Sequence, residues 1–508
     1  MNKKVRVRFA PSPTGGLHLG GVRTVLYNYL FARKHGGDFV LRIEDTDQTR
    51  FVPGAEEYIY DCLEWCGLSP DESPLKGGPF VPYKQSERKS GYKKYAEQLV
   101  AAGHAYYAFD TPEELEHMRN AYRVDAHSTA QYDKNTRTKM RNSLTLSAEE
   151  TKTLIENGTP HVVRIKVPEN QTIVCNDMIR GVTQFDSNLV DDKVLLKADG
   201  MPTYHLAVVV DDYLMKITHA FRGEEWLPSA PVHMLLWDYL GWKDEMPQWA
   251  HLPLILKPDG NGKLSKRDGE RLGFPVFAMK WHDPIKNETT SGFREMGFLP
   301  EAFINMLAML GWNDGTGTEI FSLQELVEKF SIERVHKGGA KFDFEKAKWF
   351  NHQYIQNKSA AELVPLVRPY MPEAHAGADS SLLEQVIGLI KDRCSLLKDF
   401  WVQGSFFFET PVITELQAVK DKWSDTKKVF FEQFAAALKT TTDFNHAALE
   451  QMFGTMATEA GLKKGDVMLP LRIMLVGGKF GPGVFNIVEV IGCDEACKRI
   501  ALAIDALA

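Results

Sequence analysis

The alternation of apolar and polar positions at the start of the chain predicts a strand, a turn and a helix. Residues 5–9 alternate apolar and basic side chains, as a short strand would. Proline, serine, threonine and glycine then break regular structure and leave backbone N–H groups free. From Gly21, apolar residues recur at helical spacing until Arg33-Lys34-His35 and Gly36-Gly37, which predict a helix end. A glycine-rich turn at the positive end of a helix favours phosphate binding.

Strands and helices alternate in two further stretches, which predicts a parallel, doubly wound α/β sheet. After the first helix, the pattern indicates a strand at 38–43, a helix at 53–67 and a helix that ends near Ala102. The sheet pattern resumes with predicted strands at 194–197, 204–210 and 252–256 and a helix at 229–240. The carboxylates of Arg42-Ile43-Glu44-Asp45-Thr46-Asp47 follow a strand directly, where open α/β sheets bind ligands.

Between these stretches the pattern changes, as it would in an inserted α+β domain. Thr111-Pro112-Glu113-Glu114 and Ser147 to Glu150 are capping boxes that open short helices. Residues 125–141 are polar and basic without a period, which predicts a loop or surface arm. Residues 162–167 and 172–182 are predicted strands.

After about residue 330 the strand pattern disappears. Ser359-Ala360-Ala361-Glu362 and Ser381-Leu382-Leu383-Glu384 are predicted capping boxes, and the second opens a helix with apolar residues at i, i+3, i+4 spacing. Asn445 and Asp494 are predicted N-caps of later helices. The C-terminal third is therefore predicted to be all-α and appended to an α/β body.

Composition excludes several classes of protein and leaves the partner open. A chain of 508 residues is too long for one core, and about three to five domains are expected. No apolar run is long enough to span a membrane, no signal segment precedes the first strand, and a cytoplasmic location is the default expectation. Six cysteines at this length do not make a disulfide framework, and no cluster with histidine favours structural zinc. The formal charge of −7 neither supports nor excludes nucleic-acid binding.

Two loops carry candidate chemistry. The first turn has neither the Gly-x-Gly-x-x-Gly spacing nor a Gly-Lys-Ser/Thr ending, so a dinucleotide fingerprint and a P-loop do not fit. His18 can donate a hydrogen bond to a triphosphate there, and Gly20 lets a flat base approach the backbone; the alternative is a turn histidine satisfied by local backbone. The second loop follows 257–262 and carries Lys263-Leu264-Ser265-Lys266-Arg267 on flexible backbone, for which a solvated charge run is the alternative.

Six motifs follow one another along the chain. In chain order they are Arg8-Phe9-Ala10-Pro11-Ser12-Pro13-Thr14-Gly15, Arg42-Ile43-Glu44-Asp45-Thr46-Asp47, Tyr83-Lys84-Gln85-Ser86-Glu87-Arg88, Pro202-Thr203-Tyr204-His205-Leu206-Ala207, Gly223-Glu224-Glu225-Trp226 and Lys263-Leu264-Ser265-Lys266-Arg267. The first, with His18 and Gly20, matches the glutamyl form of the HIGH signature, Pro-Ser-Pro-Thr-Gly-x-x-His-x-Gly, and the last matches KMSKS. In this order the motifs resemble those of bacterial-type glutamyl-tRNA synthetases, a class I family, and the resemblance runs from about residue 5 to the end of the chain.

The resemblance implies an ATP-dependent ligase that forms glutamyl-adenylate and passes the glutamyl group to the 3′ end of tRNA-Glu. Catalysis would be mainly positioning and stabilisation of phosphate charge. The implied catalytic residues are His18, Lys266 and Lys263, and the implied ATP-binding residues are His18, Gly20, Trp226 and Lys266. Mg²⁺ is expected with ATP.

The resemblance also implies a glutamate pocket. Arg8 and Arg222 would clamp the substrate carboxylates, with Tyr204 as a neutral hydrogen-bond partner, while Glu44 and Ser12 would bind the ammonium group. Arginine suits carboxylates because its planar fork matches them. A strand-end salt bridge for Arg8 and a core tyrosine for Tyr204 are the alternatives. Such a pocket should reject glutamine, because an amide leaves buried arginine charge unpaired.

The helical C-terminal region resembles the anticodon-binding part of the family. Arg393 lies where discriminating enzymes use an arginine against the tRNA-Gln anticodon, and an exposed helix-face arginine is the alternative. Three features depart from the family. Val208 replaces an amide residue of some relatives, segment 125–141 lacks the Tyr-Asp-Gly-Arg-Cys-Arg form, and the insertion lacks the cysteines that bind zinc in some members.

The resulting organisation has four parts: a Rossmann-like catalytic body (1–104 and 190–256), an inserted acceptor-binding domain (105–189), a stem-contact region with the KMSKS-type loop (257–330) and an all-α anticodon-binding region (331–508). The expected partners are tRNA-Glu, L-glutamate and ATP, without a membrane, and the expected state is a monomer. The rivals are a glutamyl-queuosine tRNA-modifying relative, a binding-only paralogue that holds tRNA or nucleotide, and a small-molecule adenylyltransferase. The long C-terminal region argues against the first and third, and intact His18, Lys266, Arg8 and Glu44 argue against the second.

Overall fold

A computed structural model describes residues 3–123, 130–260 and 262–507. Residues 124–129, which belong to the predicted loop or surface arm, lie outside the described residues. The chain divides into two compact units, Met1–Glu295 with Phe303–Phe344 and Met296–Ala302 with Glu345–Ala508. The first unit carries every strand that is described below, and the second is helical.

The strands form one large sheet and three small ones. They are β1 (Arg6–Phe9), β2 (Asp38–Leu41), β3 (Ala105–Ala108), β4 (Val162–Ile165), β5 (Thr172–Asp177), β6 (Gly181–Asp186), β7 (Val194–Leu196), β8 (His219–Gly223), β9 (Gln248–Leu252), β10 (Ile255–Leu256), β11 (Trp281–Asp283), β12 (Glu288–Thr290) and β13 (Ala340–Lys341). The large sheet has the order β2-β1-β8-β9-β5-β6, with parallel pairing throughout except for the edge pair β5–β6. This confirms the predicted α/β body with a parallel sheet.

The helices of the first unit lie wholly or mostly within its residue ranges. They are α1 (Leu19–Lys34), α2 (Ala55–Trp65), α3 (Lys93–Ala101), α4 (Pro112–Ala121), α5 (Ala148–Glu156), α6 (Tyr204–Leu214), α7 (Ala230–Tyr239), α8 (Lys266–Leu272), α9 (Phe293–Met296), α10 (Pro300–Met309) and α11 (Leu323–Lys329). Of these, α9 and α10 lie only partly in the first unit. Helix α1 contacts β1, β2 and β8, as expected for a helix that crosses over between parallel strands. The strand, turn and helix predicted at the start of the chain are confirmed.

One predicted strand is a helix. Residues 204–210 form the first part of α6, and every residue from Leu206 to Asp212 is buried, because α6 packs on α7 and β7. A helix that is apolar on all sides lacks the polar face by which periodicity separates a helix from a buried strand. The valines at 208–210 then favoured the wrong prediction because β-branched residues are typical of strands.

Two pairing predictions in the middle of the chain are also wrong. Residues 172–182 form two strands rather than one, because the Asp177 carboxylate accepts hydrogen bonds from the backbone N–H groups of Ile179 and Arg180 and closes a turn. Strand β7, predicted to resume the large sheet, pairs instead with β4 in the antiparallel sheet β3-β4-β7. Strands β5 and β6 join the large sheet although they lie within 105–189. The division into functional domains stays a prediction.

The described part of the predicted surface arm is anchored. Tyr132, Arg137 and Asn142 are buried, and Arg137 donates to the carboxylate of Asp192 and to the carbonyl of Val167. Asn142 donates to the carbonyl of Arg137 at 2.7 Å. Residues 130–141 are irregular, as predicted, apart from the 3₁₀ turn Arg137–Lys139, and these buried contacts fix them against the β3-β4-β7 sheet region.

The second unit is helical, which confirms the predicted all-α region. Its helices are α12 (Phe344–Asn357), α13 (Ala360–Val367), α14 (Ser380–Ile390), α15 (Asp399–Gly404), α16 (Gln417–Lys420), α17 (Asp425–Leu438), α18 (His446–Glu459), α19 (Lys464–Val476) and α20 (Val484–Leu507). Its core includes a cluster of phenylalanines, Phe430, Phe431, Phe434, Phe453 and Phe485. The short strand β13 shows that strands end near residue 341 rather than 330.

Helix caps test local predictions. The capping boxes at Thr111, Ser147 and Ser359 and the N-cap Asn445 are confirmed. The box predicted at Ser381 is wrong, because Asp379 caps α14 by accepting from the backbone N–H of Leu382. Near Asp494, α20 is broken at Gly492, whose φ is 80°. In the described ranges, none of these helices is long and apolar enough to cross a membrane.

Candidate active site

A cleft of about 1220 Å³ opens at the carboxyl-terminal ends of β1 and β8 in the large sheet. Its walls come from the β1–α1 turn, the segment after β2, the start of α6 and the residues that follow β8 and β10. Of the residues implied in catalysis or in binding ATP and glutamate, those that line it are Arg8, Ser12, His18, Gly20, Glu44, Tyr204, Arg222, Trp226 and Lys263. Lys266 is not part of the lining.

Arg222, near the end of β8, is 6 % exposed and is held by uncharged groups. Its Nε donates to Nε2 of His251 at 2.8 Å, and its Nη1 donates to the hydroxyl of Tyr204 at 2.9 Å. Nη1 also lies 3.1 Å from Nδ1 of His233, and the guanidinium lies 4.6 Å from the centroid of the Trp249 ring. Nη2 is buried without a hydrogen-bond partner among the described residues. Such a nitrogen is a strong binding group for a carboxylate oxygen.

The histidines around Arg222 are uncharged at neutral pH. Burial, followed by the charge of Arg222, lowers the pKa of His233 well below its usual value. Burial, helped by Lys193 and Arg222, lowers the pKa of His205 to about 3, and burial also lowers the pKa of His251. Neutral imidazoles can accept hydrogen bonds from Arg222 without compensating its charge.

Arg8, at the end of β1, is 3 % exposed and is paired with a carboxylate. Its Nε lies 3.2 Å from Oδ1 of Asp212, and its Nη1 donates to the carbonyl of Phe221 at 3.2 Å. Arg42 lies 2.8 Å from the same Oδ1 and 3.0 Å from Oε1 of Glu44. Two arginines therefore share the buried carboxylate of Asp212. The strand-end salt bridge that the sequence offered as the alternative role for Arg8 is present, although Arg8 also lines the cleft.

Glu44 lies beyond the end of β2 and is 6 % exposed. Burial raises its pKa, although the charges of Arg42 and Arg8 oppose that rise. Since Arg42 is its ion-pair partner, the carboxylate stays oriented at the cleft. Its second oxygen can receive a cationic group such as an ammonium.

His18 immediately precedes α1, and its side chain does not cap the helix. Its Nε2 is buried without a hydrogen-bond partner among the described residues. Burial, followed by the charge of Lys263, lowers the pKa of His18 to about 4, so the ring is neutral at pH 7 and carries one N–H. At Gly20, in the first turn of α1, a Cβ atom would meet no atom within 4 Å, so the glycine leaves free space beside the backbone.

Aromatic rings form another wall. The rings of Tyr204 and Trp226 have centroids 4.7 Å apart, and Trp226 is 43 % exposed, which leaves a face open for a planar ligand. Val208 lies one turn after Tyr204 on α6 and also lines the cleft, where it offers no hydrogen bond. Ser12 is exposed in the β1–α1 turn.

The sequence predicts that Lys263 and Lys266 lie on a flexible loop, but the structure places both in hydrogen-bonded secondary structure. Lys263 pairs with Leu256 in a β-bridge, and its Nζ lies 2.5 Å from Oε1 of Glu225. Lys266 is the first residue of α8. The helix begins there because Ser265 forms a capping box with Asp268. The aspartate, in place of the usual Glu or Gln, concealed the box.

The ammonium of Lys266 is held outside the cleft by two carboxylates. Its Nζ lies 2.8 Å from Glu288 on β12 and 3.5 Å from Glu270 on α8. The hydrogen bond to Glu288 raises the pKa of Lys266. The structure therefore does not bring this implied catalytic residue together with the others.

Arg393 belongs to the second unit, at the end of the 3₁₀ helix Lys391–Arg393. It is exposed and makes no hydrogen bond or ion pair within the described ranges. Burial, followed by the charge of Arg393, lowers the pKa of Arg472, so the two cations lie close enough to interact.

Sequence reasoning missed the residues that hold the two arginines: Arg42, Asp177, Asp212, His233 and His251. Arg42 and Asp212 stood inside or beside predicted motifs, and their signal was a charged residue at the end of an apolar run. Asp177 and His251 come from strands that are distant in sequence, and only the pairing of β8, β9 and β5 brings them to Arg222.

The six cysteines are free thiols. In residues 3–123, 130–260 and 262–507, no group of three or more histidine, cysteine, aspartate or glutamate side chains is arranged to hold a metal ion.

Comparisons with known proteins identify the family of the chain. Residues 4–349 match the catalytic domain of class I tRNA synthetases (E and Q), and residues 362–504 match an anticodon binding domain. The glutamate–tRNA ligase of Amoebophilus asiaticus is 50% identical over 504 residues, covering 99% of this chain and 98% of that protein. The glutamate–tRNA ligase of Porphyromonas gingivalis is 51% identical over 508 residues, covering 100% and 99%.

A solved structure gives the same result. The glutamate tRNA ligase of Elizabethkingia meningosepticum, crystallised in complex with its amino acid, superposes with a TM-score of 0.95 at 49% identity and covers 100% of both chains. Together with the full-length relatives and the two domain matches, this similarity places the chain in a known group. The chain belongs to the class I glutamyl- and glutaminyl-tRNA synthetase family, among the bacterial glutamate–tRNA ligases.

Proposed function

We propose that this chain activates L-glutamate with ATP and transfers it to the 3′ end of tRNA-Glu. In the first step, the α-carboxylate of glutamate attacks the α-phosphorus of ATP, which yields glutamyl-adenylate and pyrophosphate. In the second, the glutamyl group passes to the terminal adenosine of the tRNA. The observation that carries the proposal is the buried, unpaired Nη2 of Arg222 in the cleft, since it calls for a carboxylate.

Glutamate is proposed to bind between the two arginines. Arg222 receives the side-chain carboxylate through Nη2, with the hydroxyl of Tyr204 beside it. Arg8 lines the same cleft on the adjacent strand, where its charge contributes less because it is already paired with Asp212. Glu44 and Ser12 receive the ammonium group, which would otherwise be repelled by the arginines. This orientation directs the α-carboxylate toward ATP.

ATP is proposed to bind at the start of α1. Gly20 leaves room for the adenine, and the exposed face of Trp226 is a stacking surface. Neutral His18 donates its N–H to a phosphate oxygen, because its Nε2 has no protein partner. Lys263 adds positive charge, and Lys266 leaves Glu288 for the phosphates when ATP is bound. ATP enters with Mg²⁺ as part of that substrate.

Glutamine is rejected in this scheme. Its amide oxygen can accept from Nη2 of Arg222, but the amide is uncharged, so the guanidinium charge would stay buried without a counter-ion. Sites that hydrogen-bond one substrate group discriminate strongly against analogues that cannot pair with it, by roughly 10⁴-fold.

Glutamate-dependent ATP–pyrophosphate exchange, with and without tRNA-Glu, tests the proposal. We expect exchange that requires glutamate and collapses in Lys266→Ala. Lys286→Ala is the matched control and should exchange normally, because Lys286 forms an ion pair with Asp283 in the β11–β12 turn and does not line the cleft. Tight tRNA binding without exchange under any condition would refute the ligase function and favour a binding-only role.

For the second unit, we infer that Arg393 reads the anticodon and excludes tRNA-Gln. Its exposure and its freedom from intramolecular pairing in the described ranges support this role. Purified tRNA-Gln should therefore be a poor substrate of the unaltered chain. The Arg393→Gln variant should glutamylate tRNA-Gln more readily. Efficient charging of tRNA-Gln by the unaltered chain would contradict the inference.

We further infer a monomer that acts in the cytoplasm, where tRNA charging takes place. Sedimentation equilibrium at micromolar concentration tests the monomer, since a dimer would double the apparent mass.

A further inference from the structure

We propose that Asp177 and His251 are positioning residues for Arg222 and set the direction in which its free nitrogen meets the side-chain carboxylate of glutamate. The inference rests on the glutamate–tRNA ligase function proposed above and adds to it. Neither residue lines the cleft, and Arg222 is the cleft residue to which the side chain of His251 is hydrogen-bonded.

Three neighbouring parallel strands bring the three side chains together. Arg222 on β8 pairs in register with His251 on β9, and Asp177 ends β5, the strand on the other side of β9. One carboxylate oxygen of Asp177, Oδ2, lies 2.6 Å from Nδ1 of His251 and accepts the backbone N–H of the same residue at 3.0 Å. The His251 and Asp177 side chains are both fully buried.

The carboxylate selects one tautomer of the histidine. Burial opposes ionisation of Asp177, but the hydrogen bonds from His251 and from the backbone N–H groups of Arg180 and Ile179 lower its pKa. An ionised carboxylate accepts only, so Nδ1 of His251 carries the proton and Nε2 carries the lone pair. That lone pair is the acceptor for Nε of Arg222 at 2.8 Å. The opposite tautomer would set two N–H groups against each other.

The pairing leaves Arg222 one free direction. Nε is taken by His251, and Nη1 is taken by Tyr204 and His233. Because these two nitrogens are held, the guanidinium cannot rotate. Nη2 is then the one nitrogen of the group that has no hydrogen-bond partner among the described residues. A charged group that is locked by its neighbours before the substrate arrives loses less entropy on binding. The relay therefore acts on affinity for the side-chain carboxylate, not on ATP.

Two substitutions of His251 distinguish the effect of its hydrogen-bond acceptor from the effect of its imidazole ring. His251→Leu removes the acceptor for Nε, whereas His251→Gln places an amide oxygen near the position of Nε2. His219→Leu is the matched control: His219 is three residues before Arg222 on the same strand and contacts Phe31 rather than the cleft. All are assayed by ATP–pyrophosphate exchange in the full chain with tRNA-Glu, against glutamate, glutamine and ATP.

We expect His251→Leu to raise the KM for glutamate by about 10-fold or more and to leave the KM for ATP within about twofold. The ratio of kcat/KM for glutamate to that for glutamine should fall, because a mobile guanidinium distinguishes the two poorly. His251→Gln should restore most of the affinity, and His219→Leu should match the unaltered chain. Both readouts are independent of the fraction of active protein, so partial unfolding does not obscure them.

The outcomes separate the two proposals. If the unaltered chain shows no exchange with glutamate, the ligase function fails. If it exchanges normally while His251→Leu keeps its glutamate KM and its glutamate-to-glutamine ratio, or changes the KM for ATP equally, the positioning role is overturned.

A double-mutant cycle tests Asp177. If Asp177 acts through His251, Asp177→Ala raises the glutamate KM in the unaltered chain but adds nothing in the His251→Leu background. Additive changes in KM would overturn the relay from Asp177 and leave His251 acting alone.

Discussion

Arg8 and Arg222, two of the four arginines that line the cleft, lie on adjacent parallel strands and are buried to a similar degree, yet their partners differ in charge. Arg8 is paired with Asp212, a carboxylate that it shares with Arg42. Arg222 is held by Tyr204, His233 and His251, and among the described residues it has no carboxylate partner.

The difference separates structural charge from binding charge. A buried arginine with a carboxylate partner is already neutralised, so its removal mainly takes a counter-ion from that buried acid. A buried arginine with neutral acceptors keeps its positive charge unneutralised, and a substrate carboxylate completes the pair. In the protein without substrate, the buried charge of Arg222 therefore has an unfavourable desolvation free energy. Binding of the glutamate carboxylate compensates this cost.

The largest expected effect is the loss of Arg222. Arg222→Met should lower kcat/KM for glutamate by about 10²- to 10⁴-fold, because the substrate carboxylate then enters a buried site without a cation. Exchange kinetics with saturating ATP measure this. A loss below tenfold would mean that Arg8, not Arg222, binds the side-chain carboxylate.

Arg8 should dominate stability instead. Arg8→Met leaves Asp212 with Arg42 as its only cation, and we expect a loss of about 2–3 kcal/mol in the free energy of unfolding. Arg222→Met should cost less than about 1 kcal/mol, since it also removes a buried nitrogen without a partner. Urea unfolding of both variants at pH 7 makes the comparison, and equal losses would contradict the assignment of the two roles.

Lowering the pH should reduce the free energy of unfolding, because the buried histidines near Arg222 have lowered pKa values. The pKa of His205 is lowered to about 3, while a histidine in the unfolded chain titrates near 6.5. Between these pH values the unfolded chain binds a proton that the folded chain does not, so stability is full above about pH 6.5 and is lost as the pH falls. His205 alone should account for up to about 1.4 kcal/mol per pH unit. Urea unfolding from pH 7 to pH 5 should therefore show a shallower decline in His205→Gln, and parallel curves would refute the prediction.

The smallest expected effect is at Tyr204. Tyr204→Phe removes one acceptor of Nη1 and keeps the ring against Trp226. Since His233 still faces Nη1, we expect the KM for glutamate to rise only about 3- to 10-fold, with the KM for ATP unchanged. A change in the KM for ATP instead would show that the ring, through Trp226, serves the nucleotide.

Local signals made much of the fold predictable. Strand β1, the turn and α1 follow from short-range alternation and from basic residues before Gly36. Helix α6 was missed because burial on all sides erases its periodicity, and the place of β7 was missed because strand pairing is a long-range property.

The site divides in the same way. Residues within motifs, such as His18 and Glu44, were named from the sequence and line one cleft, whereas their roles stay predictions. Asp177 and His251 could not be named, because their relation to Arg222 exists only across three strands. The position of Lys266 depends on Glu288, whose β-hairpin carries no sequence signal that points to the loop.

The order of strands also bears on how the protein is made. Strand β1 lies between β2 and β8, and the backbone of Arg6 bonds to Thr218, 212 residues later. During synthesis, the edge of β1 that pairs with β8 therefore stays unpaired until nearly half of the chain has been made. Closing so long a loop is slow, and the unpaired N–H and C=O groups of an open strand edge favour aggregation. A chain that stops before β8 would expose that edge permanently, so premature termination should yield an aggregating fragment rather than a smaller folded enzyme.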